Sequence, residues 1–224
     1  MTVAFPALTL EALRQKLSPT PSSARALLPT GCQPLDRALG GGFAPGRLVE
    51  ITGVWSSGKA TLALTAAARV TAARRLCVYV DGRGELYPPS AAALGVDLSR
   101  ILIINARPAR GVARAGEIAA RSGAFPLVIL DLLDGERIDE AAAGRLRAAA
   151  TGGGAAVLAL ASRPGALAQA PVKLETTGGV VTIRKGGAAP PGTRVPWRVG
   201  IDRTYTPAVA GDEMKLVLGR RRRS

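Results

Sequence analysis

The run Gly53-Val54-Trp55-Ser56-Ser57-Gly58-Lys59-Ala60-Thr61 has glycines at either end of a four-residue gap and a lysine directly after the second. Glycines at that spacing let backbone N–H groups turn inward onto phosphate oxygens, and a lysine there reaches terminal phosphates as a point charge. Ser56 and Ser57 fall in the curve of the same loop, so Gly53, Ser56, Ser57, Gly58 and Lys59 form a candidate phosphate cradle. In the usual pattern the next residue is Ser or Thr, whose hydroxyl ligates Mg²⁺. Here it is Ala60, which has no oxygen to offer. Thr61 lies one residue on, turned by about 100° around a helix, and cannot simply take its place. The pattern predicts a loop that holds phosphate and binds magnesium poorly.

Other chemistry is narrowly bounded. Histidine is absent, which removes Ser-His and Cys-His catalysis and most zinc sites. Cys32 and Cys77 have no paired spacing and read as buried small hydrophobes. Reactive groups must therefore come from carboxylates, lysine or arginine. Asp131 closes the apolar run PLVILD, where a carboxylate would stand behind a magnesium–phosphate site.

The loop needs a strand before it and a helix after it. Residues 47–52 supply the strand, and residues 61–75, rich in Ala and Leu without a breaker, supply the helix. Four short apolar runs, at 76–81, 100–105, 126–131 and 155–162, predict buried strands of a mostly parallel sheet. Helical stretches at 34–39, 111–122 and 136–150 alternate with them, giving a doubly wound α/β fold with helices flanking the sheet. From residue 172, alternating residues around a Gly-Gly turn predict antiparallel C-terminal strands. Leu10, Leu13 and Leu17 mark a short amphipathic helix, and SPTPSSA a tether. The expected units are therefore 1–28 (helix and tether), 29–204 (core) and 205–224 (basic tail). The most apolar runs are too short to span a bilayer, and residues 1–17 lack a signal-peptide pattern, so the expected location is the cytoplasm.

Four stretches in order resemble the ATPase core of RecA: GCQPLDRALGGGFAPGRLVEITGVWSSGKAT, LCVYVDGRGELYPP, LGVDLSRILI and RSGAFPLVILDLL, within about residues 29–163. The resemblance implies a RecA-like P-loop core with ATP as its ligand. In that family a catalytic glutamate lies two residues beyond an Asp after the second strand; counted from Asp81, that position holds Arg83. A guanidinium cannot polarise attacking water and would add positive charge beside the phosphates. Glu85 is the fallback carboxylate, which a loop shift would bring in. Ser162 stands where the family's glutamine senses the γ-phosphate, and its side chain is too short for that reach. By the same comparison both DNA-binding loops are curtailed, to LLDGE before a helix near Glu136 and RPGALAQAP after Ser162.

Among RecA relatives, GVDLSRILI and the strand VVTIRKGG resemble the ImuA family, with Arg184 and Lys185 on its basic strand. That resemblance implies translesion synthesis in the SOS response. The partners it implies are ImuB, an inactive relative of Y-family polymerases, an error-prone DnaE-type polymerase, and RecA itself. Two other functions stay open. One is an active DNA-dependent ATPase with Glu85 and Thr61 in shifted roles; the other is a cell-division inhibitor of the SulA type, against which the basic charge argues.

Net charge is +14, and only five of the 30 basic residues are lysines. The excess points to DNA through phosphate neutralisation; the competing reading is a GC-rich genome that writes arginine often. Likewise Arg220, Arg221, Arg222 and Arg223 read either as a DNA or acidic-partner contact or as a solvated end. Leu10, Leu13 and Leu17 either dock on a neighbouring chain or fold back on their own. Trp55, in the loop, is placed to meet a base, whereas Trp197 reads as core. If the tail contacts DNA, removing Arg220–Arg223 will make the slope of log K against log salt shallower by roughly 3 to 4; an unchanged slope in filter binding across salt concentrations rules the contact out.

Overall fold

A computed structural model describes residues 26–197. The stripe Leu10, Leu13, Leu17 and the tail Arg220–Arg223 lie outside the described residues, as do the outer limits of the three expected units. Within them the chain builds one eight-stranded sheet, in the order β3-β2-β4-β5-β1-β6-β7-β8. The strands are β1 (Leu48–Thr52), β2 (Cys77–Asp81), β3 (Ile101–Asn105), β4 (Leu127–Asp131), β5 (Ala156–Ala161), β6 (Val172–Thr177), β7 (Val180–Lys185) and β8 (Arg194–Pro196). Helices α1 (Gln33–Leu39), α2 (Lys59–Ala72), α3 (Pro88–Ala93), α4 (Ala109–Arg121) and α5 (Glu140–Gly153) accompany it. None of the described helices is long and apolar enough to cross a membrane.

Strand alternation sorts the side chains onto two cores. Val49, Ile51, Tyr79, Ile129 and Leu158 face α2, while Val78, Val80, Val128, Leu130 and Val157 face α4 and α5. The central strands β1, β2, β4 and β5 are buried along their whole length, which is why they read as continuous apolar runs rather than alternating ones. In α2 the buried positions Ala63, Ala66 and Ala67 are small, so the helix that follows the loop lies close against the sheet. Helices α4 and α5 are closer still: a Cβ on Gly153 would stand 1.8 Å from the Ala120 carbonyl oxygen.

Two expectations need correction, and two further features complete the picture. The run at 100–105 is an edge strand, paired on one side only, to β2, and Leu102 is 44% exposed. The expected antiparallel strands are present as β6-β7-β8, and β6 in addition runs parallel to β1. Helix α5 starts at Glu140, because Asp139 caps it by accepting the Ala142 amide at 2.7 Å. Glu136 serves the neighbouring helix instead, accepting the Ala109 amide at 3.1 Å, so the loop after β4 runs over residues 132–139. Finally, α3 and a 3₁₀ turn at Leu98–Arg100 lie within 88–100, which carries no long periodic signal.

The crossover from β5 to β6 is tied down from below. Glu50, in the middle of β1 and fully buried, accepts the amides of Gly165 (2.8 Å) and Leu167 (2.9 Å) and pairs with Lys173 at 3.3 Å. A buried carboxylate survives only with such partners. Truncation by Glu50→Ala strands both amides and Lys173, and is expected to cost about 3 to 5 kcal/mol. The check is the urea midpoint; a loss under about 1 kcal/mol would show that the crossover is held by other means.

Candidate phosphate-binding site

Strand β1 delivers the chain into the loop at Gly53, whose amide donates to the Ala161 carbonyl at 3.1 Å. No larger residue fits: a Cβ there would stand 2.2 Å from Ser57 Oγ and 2.4 Å from Thr176 Oγ1. Those two hydroxyls are 2.8 Å apart, and Thr176 also donates to the Thr52 carbonyl at 3.1 Å. Strand β6 therefore braces the loop from the side. At the far end Gly58 has φ 95° and lies against the buried ring of Trp197, whose edge a Cβ would meet at 2.7 Å. Ser56 also adopts a left-handed conformation, φ 58°. The turn thus depends on residues from β6 and the chain end of β8 that no local reading of GVWSSGKAT shows.

Helix α2 begins at Lys59, two residues earlier than its apolar pattern suggests, so Ala60 and Thr61 occupy its first turn. The first bond into the helix runs from the Leu62 amide to the Gly58 carbonyl. The amides of Lys59, Ala60 and Thr61 precede it and are the donors such a helix end presents to an anion. Lys59 is only 9% exposed, and its ammonium donates to the Val54 carbonyl at 3.3 Å. Burial lowers its pKa, and the charge of Asp131 works in the opposite direction.

Asp131, at the end of β4, is paired in register with Asp81 at the end of β2. The two carboxylates do different things. That of Asp81 collects the amides of Arg83, Gly84, Glu85 and Leu86 at 2.6 to 3.3 Å, and so shapes the loop after β2. That of Asp131 accepts the Tyr79 hydroxyl at 2.6 Å. Burial pushes Asp131 up to about 6, against the pull of the Tyr79 hydrogen bond and the Arg83 charge. The Tyr79 hydroxyl is raised in turn, by burial first and by Asp131 next.

Arg83 does not point freely at the loop. Its guanidinium pairs with Glu85 and with Asp134, both at 2.7 Å, and lies over the Trp55 ring at 5.1 Å. The side chain is 8% exposed, whereas those of Glu85 and Asp134 are 48% and 59% exposed. The Arg83 carbonyl accepts the Arg107 side chain. Asp134 is held below the usual carboxylate range, first by Arg83, with nearby Ser162 adding to the effect. Trp55, 66% exposed, forms the outer wall of this cluster. Glu85, the fallback carboxylate, is engaged by Arg83.

The loop residues, Asp131, Arg83, Glu85 and Ser162 thus gather at one end of the sheet. Arg184 and Lys185 do not join them. They end β7, where Arg184 pairs with Glu175 and borders a shallow pocket of about 320 Å³ with Thr182 and Arg194. Sequence reading passed over Asp134, Tyr79, Thr176 and Arg107. Of these only Asp134 carried a signal, an acidic residue in the turn after the strand that ends in Asp131.

Asp131 supplies a pH test. Its folded value lies above that of an unfolded aspartate, so the folded chain holds the extra proton between roughly pH 4 and 6, and stability falls as pH rises through that window. Relative to Asp131→Asn, the native protein should therefore lose ground by on the order of 3 kcal/mol from pH 4 to pH 6.5 and no more above it. Urea melts across pH check this; a pH-independent difference would refute the buried, raised carboxylate.

The RecA N-terminal domain model matches residues 15–170. Protein RecA of Picosynechococcus sp. is 40% identical over 106 residues, 47% of this chain and 30% of that protein. Protein RecA of Salinispora arenicola is 38% identical over 117 residues, 52% of this chain and 34% of that protein. The chain thus matches about a third of the length of these relatives. The crystal structure of the RadB recombinase superposes with a TM-score of 0.60 at 22% identity, covering 75% of this chain and 94% of that one, a likeness of fold. With the model spanning the loop, its helix and every strand through β5, this chain belongs to the RecA N-terminal domain family.

Proposed function

We propose that this chain is a RecA-type scaffold that holds a nucleotide with little or no hydrolysis and supports error-prone translesion DNA synthesis. The observation that carries the reading is Arg83, which occupies the position that the RecA resemblance gives to the catalytic carboxylate and is paired with Glu85 and Asp134. Hydrolysis of this type needs a base or water-positioning group, a metal and a phosphate sensor acting together. The base position is cationic, Glu85 is neutralised by the same cation, and Ser162 is too short for the sensor's reach.

Magnesium fits this donor set poorly. Ala60 has no hydroxyl, and the Asp131 carboxylate is shared with Tyr79 and raised by burial. Were the ion present, it would add charge beside the phosphates, with Asp131 the residue nearest in role to holding it. What the chain itself offers is the curved loop, the first-turn amides of α2 and Lys59, which suffice to seat a phosphate group.

The ImuA-like stretches favour a place beside an ImuB-like polymerase relative, with RecA and DNA as further partners, in the cytoplasm. Family membership and a net charge of +14 support DNA contact over a SulA-type role. Arg184, Lys185 and the Arg220–Arg223 tail are the proposed DNA or partner contacts. Leu10, Leu13 and Leu17 are the proposed docking stripe. The decisive measurement is steady-state ATP turnover with and without single-stranded DNA. Turnover should stay near background in both; strong DNA-stimulated hydrolysis that Lys59→Ala abolishes would overturn the proposal.

A further inference from the structure

Arg83 combines features that a static ion pair does not need. Its guanidinium is almost wholly buried, yet both carboxylates that hold it are about half exposed, and its third contact is the ring of Trp55, a residue of the phosphate loop itself. Its charge is felt at Lys59, where it acts to lower that group's pKa, so the two cations share one electrostatic site. The backbone beneath it is fixed: Asp81 binds the amides of residues 83–86 and Arg107 binds the Arg83 carbonyl. The anchoring is in the main chain, and the contacts of the head group are the ones that can exchange.

We propose that Arg83 is a phosphate-sensing cation: a nucleoside triphosphate bound without a divalent metal draws its guanidinium from Glu85 and Asp134 to the terminal phosphate and off the Trp55 ring. The inference rests on the reading of the loop as a nucleotide site. Exposed carboxylate pairs are readily exchanged with water. A terminal phosphate offers more charge and a bidentate geometry that suits a guanidinium. The loop also needs such a cation. With Ala60 in place of a metal-binding hydroxyl, Lys59 and the first-turn amides face a polyphosphate without a metal's counter-charge, and Arg83 is a second cation whose field reaches Lys59. A diphosphate lacks the group that would recruit it, so the arrangement discriminates triphosphate from diphosphate. Trp55, already 66% exposed, loses the cation over its ring only in the triphosphate state.

The test uses the full chain with ATP and ADP, by calorimetry and tryptophan fluorescence, in EDTA and in Mg²⁺. ATP is expected to bind in EDTA with a fluorescence change that disappears in Trp55→Phe, calorimetry reporting binding separately. Arg83→Gln should weaken ATP roughly tenfold and ADP less than about threefold, with Arg83→Lys recovering part of the loss. The double variant Glu85→Gln, Asp134→Asn loosens the hold on Arg83 and should strengthen ATP binding about threefold or more, a gain that misfolding cannot produce. Binding of ATP that is indifferent to Arg83→Gln, or that requires Mg²⁺, overturns this inference and leaves the nucleotide site standing. No ATP binding in either buffer, with the thermal melt intact, overturns both.

Discussion

The contact between β6 and the Gly53 turn governs what is built above it. Three oxygens, Ser57 Oγ, Thr176 Oγ1 and the Thr176 carbonyl, stand within 2.7 Å of where a Cβ on Gly53 would be, and the two hydroxyls bond one another because glycine leaves the room. The loop therefore takes its curvature from a strand more than a hundred residues away. Trp197 completes the brace from the other end by packing on Gly58. A cradle held on both flanks keeps its shape whether or not it is filled, and a preformed anion site avoids the ordering cost that a flexible loop would carry on binding.

That rigidity contrasts with the charges at the mouth. Lys59, Asp131 and Tyr79 are buried, with the last two strongly raised, while Glu85 and Asp134 are half in water. Arg83 lies between these regimes. A cation holds this position, and two carboxylates turn toward it.

The sheet has a similar division of labour. Its centre, β2-β4-β5-β1, is dry on both faces and carries the reactive ends of the strands. Its wings are different. Edge strand β3 leaves Leu102 half in solvent, and the β6-β7-β8 ribbon exposes Arg184 and Arg194 on its outer face. Buried Glu50 joins centre to wing by holding the crossover that follows Ser162.

By itself the sequence determined the loop, its missing hydroxyl, the central strands and the arginine two residues beyond Asp81. Each is written in a window of a few residues, as glycine spacing, apolar continuity or a single side chain's chemistry. Tertiary structure alone decided that β3 is an edge, that β6 runs parallel to β1, that Asp139 rather than Glu136 starts α5, and that Arg83 meets Asp134 and Trp55. Those outcomes depend on strand order and on which loops emerge side by side. Propensity and periodicity act along the chain and carry no information about neighbours 50 or 120 residues away; only packing brings Asp134 to Arg83, or Thr176 to Gly53.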